Sequence, residues 1–215
     1  MNVLKMLTAN ASSGGGQTLA FRSSATSAAS TIVAPNDIVA GDLLVLYDNA
    51  ANNSGFPTAV IPTGFDSPAI INQTGGSGSN RRCIVSKKIA DGTEAGATIT
   101  GINGTLLDAK ILVVFSTNGA TSSTAFDSVI QITQGDPTIQ TIDSSIGSPP
   151  LISLGFLRNE GGGGGTMSPT QDGIVGSGTH QGYYKIYNSS PADVTFDTGD
   201  GGNNNMLMSF YIEVD

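Results

Sequence analysis

The chain has 215 residues, of which 38% are apolar and only 12% are charged, and its net charge is −8. This balance excludes a disordered chain, and the negative charge disfavours nucleic acid as a partner because phosphate backbones would repel it. The 29 glycines, together with many Ser, Thr and Asn residues, favour an all-β fold rich in turns over a helical one.

The N-terminal segment, residues 1–22, has a short apolar start followed by Gly and Ser. We interpret it as an arm that reaches a neighbouring subunit or as a flexible end. The start, Met1–Leu7, is like that of a signal peptide, but its apolar run ends at Thr8 and is too short for the hydrophobic region of one. No later stretch is long and apolar enough for a membrane span, so we expect a chain made in the cytoplasm that does not contact a membrane.

Short strand signals follow at regular intervals along the rest of the chain. Two runs, Asp42–Tyr47 and Lys110–Phe115, are nearly continuous in apolar residues, which indicates strands covered on both faces. The other predicted strands comprise residues 30–33, 83–89, 98–100, 151–156, 182–187, 194–196 and 206–212. No helical period is evident outside short turns.

Residues 23–215 are predicted to form one domain with two related halves, about residues 23–120 and 145–215. Val85 and Tyr183 lie at equal distances before Gly101 and Gly199, respectively, within segments of similar pattern. This similarity arises either from an ancient duplication or from the uniformity of β-hairpins. Two such halves supply roughly eight or more strands, which suits a β-sandwich or a jelly roll.

Residues suited to catalysis are few. His180 is the only histidine, and its turn-like context offers no nearby carboxylate for a Ser-His-Asp arrangement. Cys83 is the only cysteine, and its apolar neighbours predict a buried structural thiol. A zinc site needs three or four ligands of these types. The sequence therefore predicts a protein that is not an enzyme, with no catalytic residue and no cofactor.

Calcium is a metal that needs neither histidine nor cysteine. The loop after Phe196 carries carboxylate and amide oxygens, and its candidate ligands are Asp197, Asp200 and Asn203. The spacing is not that of an EF-hand, and Asp-Gly is also a strong hairpin-turn signal. A plain turn is the favoured interpretation, so no metal site is predicted and this loop remains the candidate.

Three other segments are candidates for contact with a ligand or partner. Gly161–Gly165 lacks the Gly-Lys-Ser/Thr of a phosphate loop and is predicted to be a mobile or closely packed loop. Tyr183, Tyr184 and Tyr187 are the candidate interaction platform, although tyrosines on a strand more often pack across strands. The basic residues of the segment 81–88 are predicted to form a solvated strand end.

The segment Ser30–Leu46 resembles a recurrent feature of bacteriophage structural proteins, in which a strand ending in Pro leads through Ala-Gly-Asp into aliphatic residues. Ile61–Phe65 is similar to the Pro-x-Gly-aromatic segment of these proteins, and Arg82–Ala90 is similar to their basic strand ending in Ala. The resemblance covers about residues 25–115. It implies a β-sandwich module displayed on a phage particle.

The resemblance implies a non-enzymatic virion protein that binds the major capsid protein or other virion proteins. Head decoration, cement and head-fibre proteins fit this description, and a homo-oligomer, either a trimer or a pentamer, is expected. One alternative is a tail-associated or receptor-binding protein. Another is a bacterial carbohydrate-binding or adhesin module, which the lack of Trp disfavours. The uncharged polar exterior suits docking, because few ions would lose water when it is buried.

Overall fold

The computed structural model describes residues 18–66, 69–74, 79–118, 120–123, 127–132, 139–159, 164–199 and 206–215. These residues form strands and contain no helix, so the predicted all-β class is confirmed. No helix capable of spanning a membrane is found within these ranges. Most of the predicted N-terminal arm, residues 1–17, lies outside them, and the first strand begins at Ala20, inside the predicted arm.

The strands are numbered in chain order. They are β1 (Ala20–Ser27), β2 (Thr31–Val33), β3 (Leu43–Asn52), β4 (Ala69–Thr74), β5 (Asn80–Ile89), β6 (Thr98–Thr100), β7 (Leu107–Ser116), β8 (Asp127–Ile132), β9 (Ile139–Ile142), β10 (Leu151–Arg158), β11 (Thr166–Ser168), β12 (Gly173–Ser177), β13 (His180–Tyr187), β14 (Val194–Asp197) and β15 (Met206–Glu213). Every pair of neighbouring strands is antiparallel.

The strands build four sheets that stack in layers. Two of the sheets have five strands each, in the orders β1-β7-β3-β5-β4 and β12-β13-β10-β15-β8, and their inner faces share one core. The two-stranded sheet β2-β6 covers the outer face of the first, and the three-stranded sheet β11-β14-β9 covers the outer face of the second. The molecule is therefore a stack of small, large, large and small sheets.

Coverage on both faces explains why the central strands are apolar along their whole length. Successive side chains of a strand point to opposite faces. In β3, Val45 and Tyr47 pack between the large sheets, whereas Leu44 and Leu46 pack under the small sheet β2-β6. The aromatic ring of Tyr47 stacks on Phe156 of the opposite large sheet at 5.1 Å between ring centroids.

The two halves of the chain have the same strand arrangement. When β1–β7 are matched in order with β8–β10 and β12–β15, the two large sheets have identical strand orders, and β2-β6 corresponds to β9-β14. Among the strands of the described residues, β11 alone has no counterpart. The second set begins at Asp127, whereas the predicted start was residue 145. The prediction missed β8 and β9 because they are short strands without a long apolar run.

Strand β3 continues to Asn52, past its predicted end at Tyr47, and the charged residue that follows Tyr47 is buried and paired. Asp48 Oδ1 accepts a hydrogen bond of 2.9 Å from Lys110 Nζ on β7, and neither side chain is more than 2% exposed. The backbone of Ile102 completes the pair: its N–H donates to Asp48 Oδ2 at 2.6 Å, and its carbonyl accepts from Lys110 Nζ at 2.9 Å. Gly101 lies over this ion pair, where a Cβ atom would collide with both side chains.

Candidate functional site

His180 lies at one end of the central core and does not have the surroundings of a catalytic base. Its ring is 6.4 Å from that of Tyr47, and its Nδ1 lies 3.0 Å from the hydroxyl of Thr179. Burial, followed by the positive charges of Arg158 and Arg81, lowers the pKa of His180 from 6.5 to about 4. The imidazole is therefore neutral at physiological pH, and the charged groups that act on it are cations rather than an orienting carboxylate.

The lowered pKa makes the stability of the protein sensitive to acid. Between pH 6.5 and about 4 the unfolded state binds the histidine proton and the folded state does not, so the free energy of unfolding falls as pH decreases through this window. Denaturant titrations of the wild type and of His180→Gln at several pH values isolate this contribution. We expect the free energy of unfolding of the wild type to fall more than that of the variant on acidification. If the free energies of the two proteins differ by the same amount at every pH, the prediction is wrong.

Cys83 is buried, as the sequence predicts, and lies on the inner face of β5. Burial, followed by the negative charge of Asp48, raises the pKa of its thiol. A thiol that stays protonated and lacks access to solvent is a poor nucleophile. Cys83 is thus a packing residue of the central core.

The three candidate tyrosines do not form an exposed platform. Tyr183 and Tyr187 are buried under the small sheet β11-β14-β9, and Tyr184 points the other way, into the central core. There its ring stacks on Phe21 at 5.3 Å between centroids. Their alternation along β13 places them on two covered faces. These tyrosines therefore pack between the layers and do not form the interaction platform considered for them.

The candidate calcium loop is only partly within the described residues. Asp197 Oδ1 accepts a hydrogen bond of 2.9 Å from the N–H of Gly199, which closes a local turn. Asp200 and Asn203 lie outside the described residues. Within the described part of the chain, no group of three or more His, Cys, Asp or Glu side chains could hold a metal ion.

The glycine run is described only at its end, since residues 161–163 lie outside the described ranges. A Cβ atom on Gly165 would lie 2.8 Å from both the Leu157 side chain and the backbone oxygen of Asp197. Such a close approach requires glycine at this position. The end of the run is therefore closely packed against the β10 and β14 strands.

The basic segment 81–88 is a solvated strand end only in part. Lys87 is 2% exposed and Arg81 is 6% exposed, so both are buried rather than solvated. Lys87 Nζ donates to Asp66 Oδ2 at 3.1 Å and to the Ser123 hydroxyl at 2.8 Å. Partners far away in the sequence neutralise this charge, and for that reason the local pattern did not reveal its burial.

A cleft of about 360 Å³ lies beside the small sheet β2-β6. We call it the β6 cleft. The cleft is lined by strand β6 and by residues of the segment Val60–Phe65, which lies between β3 and β4. Lys88 lies in the cleft and forms ion pairs with Asp91, at 3.1 Å, and with Glu94.

The sequence did not identify this cleft as a site. Its two walls were recognised separately, β6 as a predicted strand and Ile61–Phe65 through the resemblance. The two walls come close together because β6 pairs with β2, and this pairing joins residues far apart in the chain. The only local signal was the alternation in Thr98-Ile99-Thr100, which predicts one exposed face but not an open edge.

Comparisons of the chain with protein families, with curated proteins and with solved structures find no match.

Proposed function

We propose that this chain is a non-enzymatic structural subunit of a bacteriophage particle, bound to the major capsid protein as a head decoration, cement or head-fibre protein. The supporting observation is that the segments resembling phage structural proteins form one connected unit. The Gly41 N–H donates to the Ala90 carbonyl at 2.8 Å, and the Ala90 N–H donates to the Asp42 carbonyl at 2.7 Å. These bonds join the Ala-Gly-Asp turn to the end of the basic strand.

The Asp42 side chain holds the rest of this unit together. Its Oδ2 accepts a hydrogen bond of 2.9 Å from the N–H of Val39 and lies 2.8 Å from Arg22 Nε on β1. A carboxylate with a backbone donor and a guanidinium partner fixes the turn between β2 and β3. The turn therefore presents the same surface in every copy, which is what repeated docking on a particle requires.

The exposed side of this unit is suited to burial against a neighbour. Val33 is 60% exposed and Val39 is 49% exposed, and both belong to the segment that carries the resemblance. Apolar side chains of this kind release water when covered, and the low charge of the surface reduces the cost of desolvation. A homo-oligomer, a trimer or a pentamer, fits this proposal.

Quantitative mass spectrometry of particles purified from the phage that encodes the chain tests the proposal. We expect the polypeptide in many copies per particle, in a fixed ratio to the major capsid protein. Its absence from purified particles would refute a virion role. A few copies per particle would refute head decoration and favour the tail-associated alternative.

A further inference from the structure

Strand β6 has an edge that no strand of the described residues covers. In an antiparallel pair, alternate residues direct both of their backbone groups to the same neighbour. The Ala34 N–H donates to the Ala97 carbonyl at 2.9 Å, and the Gly101 N–H donates to the Ser30 carbonyl at 2.9 Å. The residues on β6 that face β2 are therefore 97, 99 and 101. Thr98 and Thr100 direct their N–H and carbonyl groups away from β2, into the β6 cleft.

The matching edge in the other half of the molecule is occupied. Strand β14 corresponds to β6, and β11 pairs along its second edge with Met167 opposite Phe196. Met167 is buried beneath the small sheet, whereas Thr166 and Ser168 on either side of it are exposed. The occupant of this edge is thus an extended segment with one apolar side chain between two small polar ones.

In the first half, the segment in the corresponding chain position does not pair with β6. Val60–Phe65 lies between β3 and β4, as the segment containing β11 lies between β10 and β12, and it lines the cleft together with Thr98 and Thr100 without forming a strand. Pro62 lies within it and has no N–H to donate to a ladder. Among the described residues of the first half there is therefore no third strand beside β6, and the β6 cleft lies where that strand would be.

We propose that the β6 cleft binds an extended peptide segment of another protein, which adds a third strand to β2-β6. The segment carries an apolar side chain flanked by small polar residues, the chemistry of β11. Its backbone would pair with the N–H and carbonyl groups of Thr98 and Thr100. Its apolar side chain would contact Ile99 and Phe65, which line the cleft. This inference does not depend on which particle, if any, contains the chain.

The charges at the cleft limit the composition of the segment. Lys88 is already paired with Asp91 and Glu94, so the three side chains together carry one excess negative charge. Glu94 is 6% exposed, and an additional carboxylate brought beside it would be repelled. The bound segment is therefore neutral or basic near Lys88.

A blocked synthetic peptide with the sequence of residues 164–168, Gly-Gly-Thr-Met-Ser, is a suitable probe, and its binding to the full chain can be followed by amide chemical shifts. We expect shifts confined to residues 97–101 and to the facing segment Val60–Phe65. The same peptide with Asp in place of Met is expected to bind about tenfold more weakly, because an apolar contact is replaced by a desolvated charge.

The variant Thr100→Pro removes one N–H from the open edge and leaves the ladder with β2 intact, because that N–H does not face β2. We expect it to weaken peptide binding by about tenfold or more, whereas Thr100→Val, which keeps the N–H, binds as the wild type does. Unchanged far-ultraviolet circular dichroism checks that both variants are folded. Equal binding by both variants, no shifts with the peptide, or pairing of β6 with a second copy of the chain would overturn the proposal.

Discussion

Replacement of Lys110 by methionine is expected to lower the free energy of unfolding by about 3–5 kcal/mol. The substitution removes the ammonium group that pairs with Asp48 and leaves that carboxylate in the interior, where both side chains are at most 2% exposed. The cost comes from the uncompensated charge rather than from lost attraction alone. Equilibrium unfolding in urea, followed by circular dichroism, measures it.

Two further variants distinguish this explanation from general damage to the strand. The double variant Asp48→Asn with Lys110→Met keeps an acceptor for the Ile102 N–H but carries no charge at either of these two positions, so it should regain much of the lost stability. Lys185→Met breaks an ion pair of 2.6 Å with Asp172 in which the side chains are 23% and 37% exposed. Surface pairs contribute little, so its cost should stay below about 1 kcal/mol. Equal losses for Lys110→Met and Lys185→Met would contradict the prediction.

Replacement of Phe156 by alanine is expected to cost about 3–5 kcal/mol, because the ring is fully buried between the two large sheets. It stacks on Tyr47 of the opposite sheet at 5.1 Å and lies 6.3 Å from Phe210 of its own sheet, measured between ring centroids. Truncation leaves a cavity at the contact between the sheets. The same urea titration measures the loss.

Phe56 provides the matched control for this substitution. Its ring is 39% exposed, with the Arg82 guanidinium 5.9 Å from its centroid, so Phe56→Ala removes an aromatic ring without opening a core. Its cost should stay within about 1 kcal/mol. Similar losses for Phe156→Ala and Phe56→Ala would show that the large sheets do not pack face to face as described.

In the two large sheets, the sequence predicted interior strands well and edge strands poorly. The central strands β3, β7, β10 and β15 appeared as apolar runs because both of their faces are covered. The outer strands β1, β4, β8 and β12 were all missed. An edge strand buries less of its surface and carries small polar residues, as in Ala20–Ser27, so its pattern resembles that of a loop.

The site-level features that the sequence left open or missed depended on residues far apart in the chain. Tyr183 and Tyr184 were considered as a platform because their local pattern does not show that sheets cover both faces of β13. The burial of Lys87 depends on Asp66 and Ser123, which no local pattern connects to it. The open edge in the β6 cleft is recognised by comparing the two halves, because β11 occupies the matching position in the second half.

Electron cryo-microscopy of intact particles tests the proposed structural role most directly. The proposal predicts copies of the four-layer stack at repeated positions on the head, in contact with the major capsid protein. Well-resolved heads without any such density would contradict it, as would this density on the tail alone.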